Sequence, residues 1–128
     1  MNTTTINEQL PAGFELCHVS ITHKILIDSH GVAEGYRSPV KMMFDEAVKP
    51  EAERIEPDPT SEEMQEFCFI LSRPASESRA AMKAGRAAFR ETAMQAVGDV
   101  LSPGALENFF LTALEYYVAE FTGKNPAA

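Results

Sequence analysis

The sequence predicts an α+β fold in which an N-terminal β-hairpin precedes a bundle of about four α-helices. Residues 17–28 alternate between apolar and polar side chains, which is typical of a half-buried strand. Residues 60–122 instead carry apolar side chains at helical spacing between capping signals. A chain of 128 residues, 45% of them hydrophobic, forms one core, so we expect a single domain over 1–128.

The N-terminal third divides into an arm and the hairpin. Residues 1–13 are polar and end in Pro11-Ala12-Gly13, which predicts a flexible arm. The hairpin is predicted over 14–37, with a turn at Asp28-Ser29-His30-Gly31. Its first strand places one set of side chains toward the core: Cys17, Val19, Ile21, Ile25 and Ile27. His23 interrupts this apolar side.

The middle of the chain predicts a short helix and a linker. Ser38-Pro39 is a typical helix start, so we expect a helix over 38–48. Residues 49–59 combine three prolines with four acidic side chains, a composition that sustains neither helix nor sheet. This segment is predicted to be an acidic, proline-rich linker within one domain.

The segment 60–122 is predicted to form three helices, followed by a tail over 123–128. Thr60 and Glu63 form a capping-box pattern that starts the first helix, which ends before a proline. The second helix is expected from about residue 76 to 97, closed by Gly98. The third begins at Ser102-Pro103. It is the most apolar of the set, so we expect it at the centre of the bundle or at a subunit interface.

Charge is segregated between two neighbouring segments. Residues 50–72 contain seven acidic side chains and one basic one, whereas residues 73–98 contain five basic and two acidic ones. The whole chain has a formal net charge of −8. Oppositely charged surfaces attract and fix the register of docking, so this arrangement predicts contacts within the chain or with a partner.

Four basic side chains are spaced to share one face of the second helix: Arg79, Lys83, Arg86 and Arg90. We predict that this basic stripe binds an acidic partner. The alternative is that it only pairs with the acidic segment of the same molecule. Salt-sensitive binding to another molecule would separate the two interpretations.

Aromatic residues widen the apolar face of the last helix beyond what one neighbouring helix covers. We therefore predict that some of them contact a partner and others fill the core, and we assign partner binding to Phe109, Tyr116, Tyr117 and Phe121.

The residues do not predict an active site, a metal site or a cofactor. His18 and His23 would point to opposite faces of the predicted strand, and His30 has no ligand neighbour at suitable spacing. Cys17 and Cys68 are far apart in sequence, which indicates reduced thiols. The acidic composition disfavours nucleic-acid binding, and no apolar run or signal sequence directs the chain to a membrane. We expect a non-enzymatic cytoplasmic protein with protein partners, and homo-oligomerisation stays open.

A short acidic chain with a helical body, an aromatic last helix and a polar tail resembles the tail assembly chaperones of long-tailed bacteriophages. Genes of that family often carry a slippery heptamer translated as Gly-Lys, and Gly123-Lys124 occupies the corresponding place. The resemblance implies a protein of the host cytoplasm that coats the tape measure protein and recruits tail tube subunits. It also implies a longer, frameshifted product that shares residues up to about Lys124.

A second hypothesis is a small inhibitor encoded by a phage or mobile element. Residues 50–66 are strongly acidic, and such a surface mimics the charge of nucleic acid. Neutralising Glu51, Glu53, Glu56 and Asp58 without loss of activity would exclude this hypothesis.

Overall fold

Five α-helices make up most of the chain that the computed structural model describes, which comprises residues 10, 11, 13–29, 49–53 and 60–122. Helix α1 spans Ile21–Ser29, α2 spans Ser61–Leu71, α3 spans Ala75–Lys83, α4 spans Arg86–Ala93 and α5 spans Pro103–Thr122. A 3₁₀ turn covers Glu51–Glu53, and a π-helical turn at Met94–Gly98 continues α4. The described residues contain no β-strand, so the predicted α+β class is wrong and the described fold is all-helical.

The predicted N-terminal hairpin over 14–37 is replaced by α1 in its described part. Residues 14–20 run without regular structure before α1, and residues 30–37 lie outside the described part of the chain. The buried side chains of α1 are His23, Leu26 and Ile27, which follow helical spacing. Ile21 and Ile25, which the strand pattern placed in the core, are 68% and 58% exposed. Packing of this helical face therefore outweighs the strand preference of β-branched residues.

Ser20 starts α1 through a reciprocal capping arrangement with His23. The backbone N–H of His23 donates to Ser20 Oγ at 3.2 Å, and the Ser20 N–H donates to His23 Nδ1 at 3.0 Å. Histidine here takes the place of the glutamate of a capping box. Because Nδ1 accepts, the other ring nitrogen is free to donate, and Nε2 lies 2.9 Å from the backbone oxygen of Arg73. His23 thus starts the helix and ties it to the turn between α2 and α3.

The predicted capping box at Thr60 is present and starts α2. Glu63 N–H donates to the Thr60 hydroxyl at 3.2 Å, and Thr60 N–H donates to Glu63 Oε1 at 3.0 Å. Helix α2 packs against each of the other four helices. Its buried aromatic Phe67 contacts Phe110 and Tyr117 of α5 edge to face, with ring centroids 5.4 and 5.7 Å apart. The centre of the bundle is therefore α2, with the more apolar α5 packed on it.

The predicted single helix over 76–97 is broken. Helix α3 ends at Lys83, and Gly85 adopts a φ of +104° before α4 begins. Glycine reaches this backbone conformation without the steric cost that a Cβ atom adds. The segment 60–122 therefore contains four α-helices, since the break divides the second predicted helix into α3 and α4.

Three further predicted segments fall mainly or completely outside the described residues. The helix predicted over 38–48 and the tail over 123–128 lie there completely, as does most of the arm over 1–13. Within the predicted linker, residues 51–53 form the 3₁₀ turn. No helix in the described part of the chain is long and apolar enough to span a membrane.

Candidate binding surfaces

The break at Gly85 divides the basic stripe between two helices. Arg79 and Lys83 belong to α3, whereas Arg86 and Arg90 belong to α4. The stripe was predicted on one continuous helix, so its four side chains do not form the single row that their spacing implied. The two halves also differ in their surroundings.

Arg90 is held by acidic side chains of α2. Its Nη1 atom lies 3.1 Å from Glu62 Oε2, and its Nη2 and Nε atoms lie 3.2 and 3.3 Å from Glu66 Oε1. Glu66 is only 1% exposed, so the guanidinium compensates a carboxylate that is removed from water. At Arg90, the structure therefore agrees with the alternative interpretation, in which the basic stripe pairs with the acidic segment of the same molecule.

Arg79 and Lys83 are exposed and lie one helical turn apart on α3. Among the described residues, no carboxylate lies within ion-pairing distance of either side chain. Like charges at this spacing slightly destabilise a helix. The cationic end of α3 is therefore the part of the stripe that an external anionic group can reach.

The aromatic residues assigned to partner binding lie in the core where they are described. Phe109, Tyr116 and Tyr117 are all buried, and the side chain of Phe121 lies outside the described set. Phe109 contacts Phe14 edge to face, with ring centroids 5.3 Å apart. Burial and the neighbouring Glu120 raise the pKa of the Tyr116 hydroxyl, which also hydrogen bonds to the backbone of Val19. A partner would reach these side chains only after the helices separate.

An exposed apolar pair on α1 was missed by the sequence analysis. Ile21 and Ile25 lie one turn apart on the solvent side of α1, the face opposite His23 and Ile27. Lys24 and Asp28 form an ion pair of 2.6 Å on the same helix. The strand pattern concealed this pair, because alternation and helical spacing assign Ile21 and Ile25 to opposite environments.

Acidic residues at the start of α2 make contacts within the protein. Glu63 completes the capping box and is buried, Glu66 is buried against Arg90, and Glu62 contacts the same arginine. These three carboxylates therefore do not form an outward-facing acidic array. Within residues 50–66, Glu53 is exposed and Arg54 to Pro59 lie outside the described part of the chain.

The described residues do not assemble a metal site. No group of three His, Cys, Asp or Glu side chains within the described ranges is arranged to hold an ion. His18 is exposed, His23 is buried in its capping arrangement, and His30 is not described. Both cysteines are reduced. Burial raises the pKa of the Cys68 thiol well above its ordinary value, and burial also raises that of Cys17, so neither thiol is activated as a nucleophile.

No protein-family model, curated protein or solved structure matches this chain. Its function is therefore inferred from the surfaces of the chain itself.

Proposed function

We propose that this chain is a non-enzymatic protein-binding module of the cytoplasm that acts as a tail assembly chaperone of a long-tailed bacteriophage. The observation that carries the proposal is the exposed pair Ile21 and Ile25 on α1, a helix whose opposite face is already packed in the core. Apolar side chains at successive turns are suited to contact an apolar face of another protein.

The cationic end of α3 supports the same role. Helices α1 and α3 pack against each other, so the apolar pair and the side chains of Arg79 and Lys83 belong to neighbouring elements. A client protein with apolar and acidic side chains on one face would contact both elements. The apolar pair would supply the contact area, and the two cations would favour one orientation of the client.

The all-helical body also removes one difference from the family that the sequence resembles. An N-terminal hairpin is not a feature expected of that family, and α1 lies where the hairpin was predicted to begin. The small size, the net charge of −8 and Gly123-Lys124 remain as the other points of similarity. Tape measure and tail tube proteins are the clients that this proposal assigns.

The inhibitor hypothesis receives less support from the described residues. It needs an outward-facing acidic array, whereas Glu62, Glu63 and Glu66 make contacts within the chain. Activity of a variant with Glu51, Glu53, Glu56 and Asp58 neutralised separates the two hypotheses, because the chaperone proposal does not use these carboxylates.

Co-expression with the tape measure protein encoded near its gene tests the proposal. The natural chain should keep the tape measure protein in the soluble fraction, and a chain carrying Ile21→Glu and Ile25→Glu should lose most of this effect. Leu111→Glu is the matched control, since Leu111 is an exposed apolar residue of a different helix. Equal solubilisation by all three chains, or the absence of tail genes around this one, would contradict the proposal.

The nucleotide sequence under Gly123-Lys124 gives a second test. A GGGAAA-type run with an overlapping downstream reading frame is expected if the gene belongs to this class. A codon pair that cannot slip, with no overlapping frame, would argue against the frameshifted product.

A further inference from the structure

An open cleft of about 450 Å³ lies where the N-terminal segment crosses the turn between α2 and α3. Its walls combine three apolar residues, two charged ones, a serine and a glycine: Leu10, Pro11, Phe14, Glu15, Arg73, Ser72 and Gly13. The volume falls within the range of roughly 300–1,000 Å³ that is common for small-ligand sites. The surfaces assigned to client proteins above do not include this cleft.

Both walls of the cleft are fixed by contacts to the core. Phe14 N–H donates to the oxygen of Pro11 at 3.1 Å, closing a tight turn in which Gly13 has a φ of +88°. The ring of Phe14 packs on Phe109. On the other wall, Ser72 Oγ donates to the oxygen of Phe69 at 3.2 Å. The cleft is therefore largely formed before any ligand arrives.

Arg73 supplies the recognition element of the cleft. Its guanidinium lies over the ring of Phe69, 5.2 Å from the centroid, and this contact restricts where the side chain points. One Nη atom makes a long contact of 3.5 Å to the oxygen of Ser72. Among the described residues, no carboxylate lies within ion-pairing distance of Arg73. Its planar donors suit a carboxylate, which accepts two parallel hydrogen bonds.

Glu15 limits the charge of the ligand. Its carboxylate lies in the wall of the same cleft as Arg73, so a group with two negative charges, such as a phosphate, would be repelled more strongly than a group with one. The exposed lining of the cleft is mostly polar, and Leu10, Pro11 and Phe14 supply a smaller apolar part, which leaves room for only a short apolar group beside the charged one. We propose that this cleft binds a carboxylate attached to a short apolar group, with Arg73 as the anchor.

This chemistry has two sources, a free small acid and the C-terminal carboxylate of a protein. N-acetylphenylalanine represents the first, and a hexapeptide ending in phenylalanine represents the second. The carboxamide of each compound is its uncharged control. Binding of the hexapeptide alone identifies a protein C-terminus as the source, whereas binding of both compounds identifies the shared group as sufficient.

The experiment is an NMR titration of the ¹⁵N-labelled full chain with these four compounds. We expect saturable shifts at the amides of Glu15, Ser72 and Arg73 with the acids, and at least about tenfold weaker binding of the carboxamides. Arg73→Gln should weaken acid binding by about tenfold or more, while Lys49→Gln, which changes an exposed cation that does not line the cleft, should leave it unchanged.

Glu15→Gln provides a variant that does not disturb the stacked arginine. Removing this negative charge should tighten acid binding about two- to threefold and leave carboxamide binding unchanged. Equal binding of acids and carboxamides, insensitivity to both substitutions, or no saturable shift with any compound would overturn the proposal. None of these results depends on the co-expression assay, so failure here is distinguishable from failure of the chaperone proposal.

Discussion

Arg90 on α4 donates two hydrogen bonds to one oxygen of Glu66 on α2, a carboxylate that is 1% exposed. The same guanidinium also contacts the more exposed Glu62. Two helices that are separated by α3 in the sequence are thus joined by a charge pair at the side of the core. Removing one partner of such a pair leaves the other charge without its main compensation.

Arg90→Met should therefore destabilise the fold by about 2 kcal/mol, a value reduced from the cost of a fully buried pair because Arg90 itself is partly exposed. Arg79→Met is the matched control, since it removes an exposed cation from α3, and its effect should stay within about 0.5 kcal/mol. Urea denaturation followed by circular dichroism measures both values. Equal stability of the two variants would show that the Arg90 contacts contribute little.

The capping arrangement of His23 predicts a coupled loss. Ser20→Ala should cost about 1 kcal/mol through loss of the helix cap, and His23→Ala should cost more, about 3 kcal/mol, because it also removes the contact to Arg73 and buried volume. The double substitution should cost less than the sum of the two single costs, because either single substitution already removes the hydrogen bonds between Ser20 and His23. His18→Ala, on an exposed histidine, should be nearly neutral. Strict additivity would contradict the reciprocal bonding.

Three glycines should respond differently to alanine. Gly85→Ala should destabilise the fold by about 1 kcal/mol or more, because a side chain strains the backbone at φ +104°. Gly98→Ala should have a smaller effect than Gly85→Ala, since the added Cβ would overlap only the far end of the Gln65 side chain, which can shift. Gly104→Ala meets open space within α5 and should stabilise by up to about 0.5 kcal/mol. Thermal unfolding gives the ranking, and a stabilising Gly85→Ala would conflict with the break between α3 and α4.

Stability should fall in alkaline solution partly because of Cys68. Burial raises the pKa of this thiol in the folded chain well above its ordinary value, so between the unfolded and folded values the unfolded chain has lost a proton that the folded chain keeps. This contribution is fully present below the ordinary thiol pKa and is lost as pH rises above it. Urea denaturation at several pH values should show a smaller alkaline loss for Cys68→Ala than for the natural chain. If the free energy of unfolding falls with pH equally in both proteins, the Cys68 thiol is exposed to solvent in the folded chain.

Thiol labelling checks the same burial by a different route. In the native chain, both cysteines should react slowly with a thiol reagent. Cys17 should react before Cys68, because it is the less buried of the two. Denatured protein should label at both positions. Rapid native labelling of Cys68, measured by mass spectrometry, would contradict the packing of α2.

Local signals predicted much of the C-terminal half. The Thr60–Glu63 capping box lies where the pattern indicates, because its hydrogen bonds involve residues only three positions apart. The Ser102-Pro103 start of α5 is likewise local, with Ser102 Oγ accepting from the Ala105 N–H. The break at Gly85 was not foreseen, since a glycine inside an alanine-rich helical pattern is compatible with either continuation or a turn.

The surfaces were harder to predict than the elements. The spacing of Arg79, Lys83 and Arg90 predicted one face of a continuous helix, whereas the break at Gly85 divides them between two helices. Only the fold brings Arg90 against Glu66 and leaves the other two exposed. The Arg73 cleft joins residues about sixty positions apart, so nothing in the local pattern indicates it.

By itself, the sequence determined the acidic charge, the capping of α2 and the apolar character of α5, because each depends on composition or on neighbours within one helical turn. Only the tertiary structure decided the conformation of residues 21–29, whose apolar side chains fit a strand or a helix equally well by pattern. The helix buries His23, Leu26 and Ile27 on one face, and His23 contacts the turn after α2. The packing of His23, Leu26 and Ile27 into the core, with a contact from His23 to a residue fifty positions away in sequence, leaves Ile21 and Ile25 facing water.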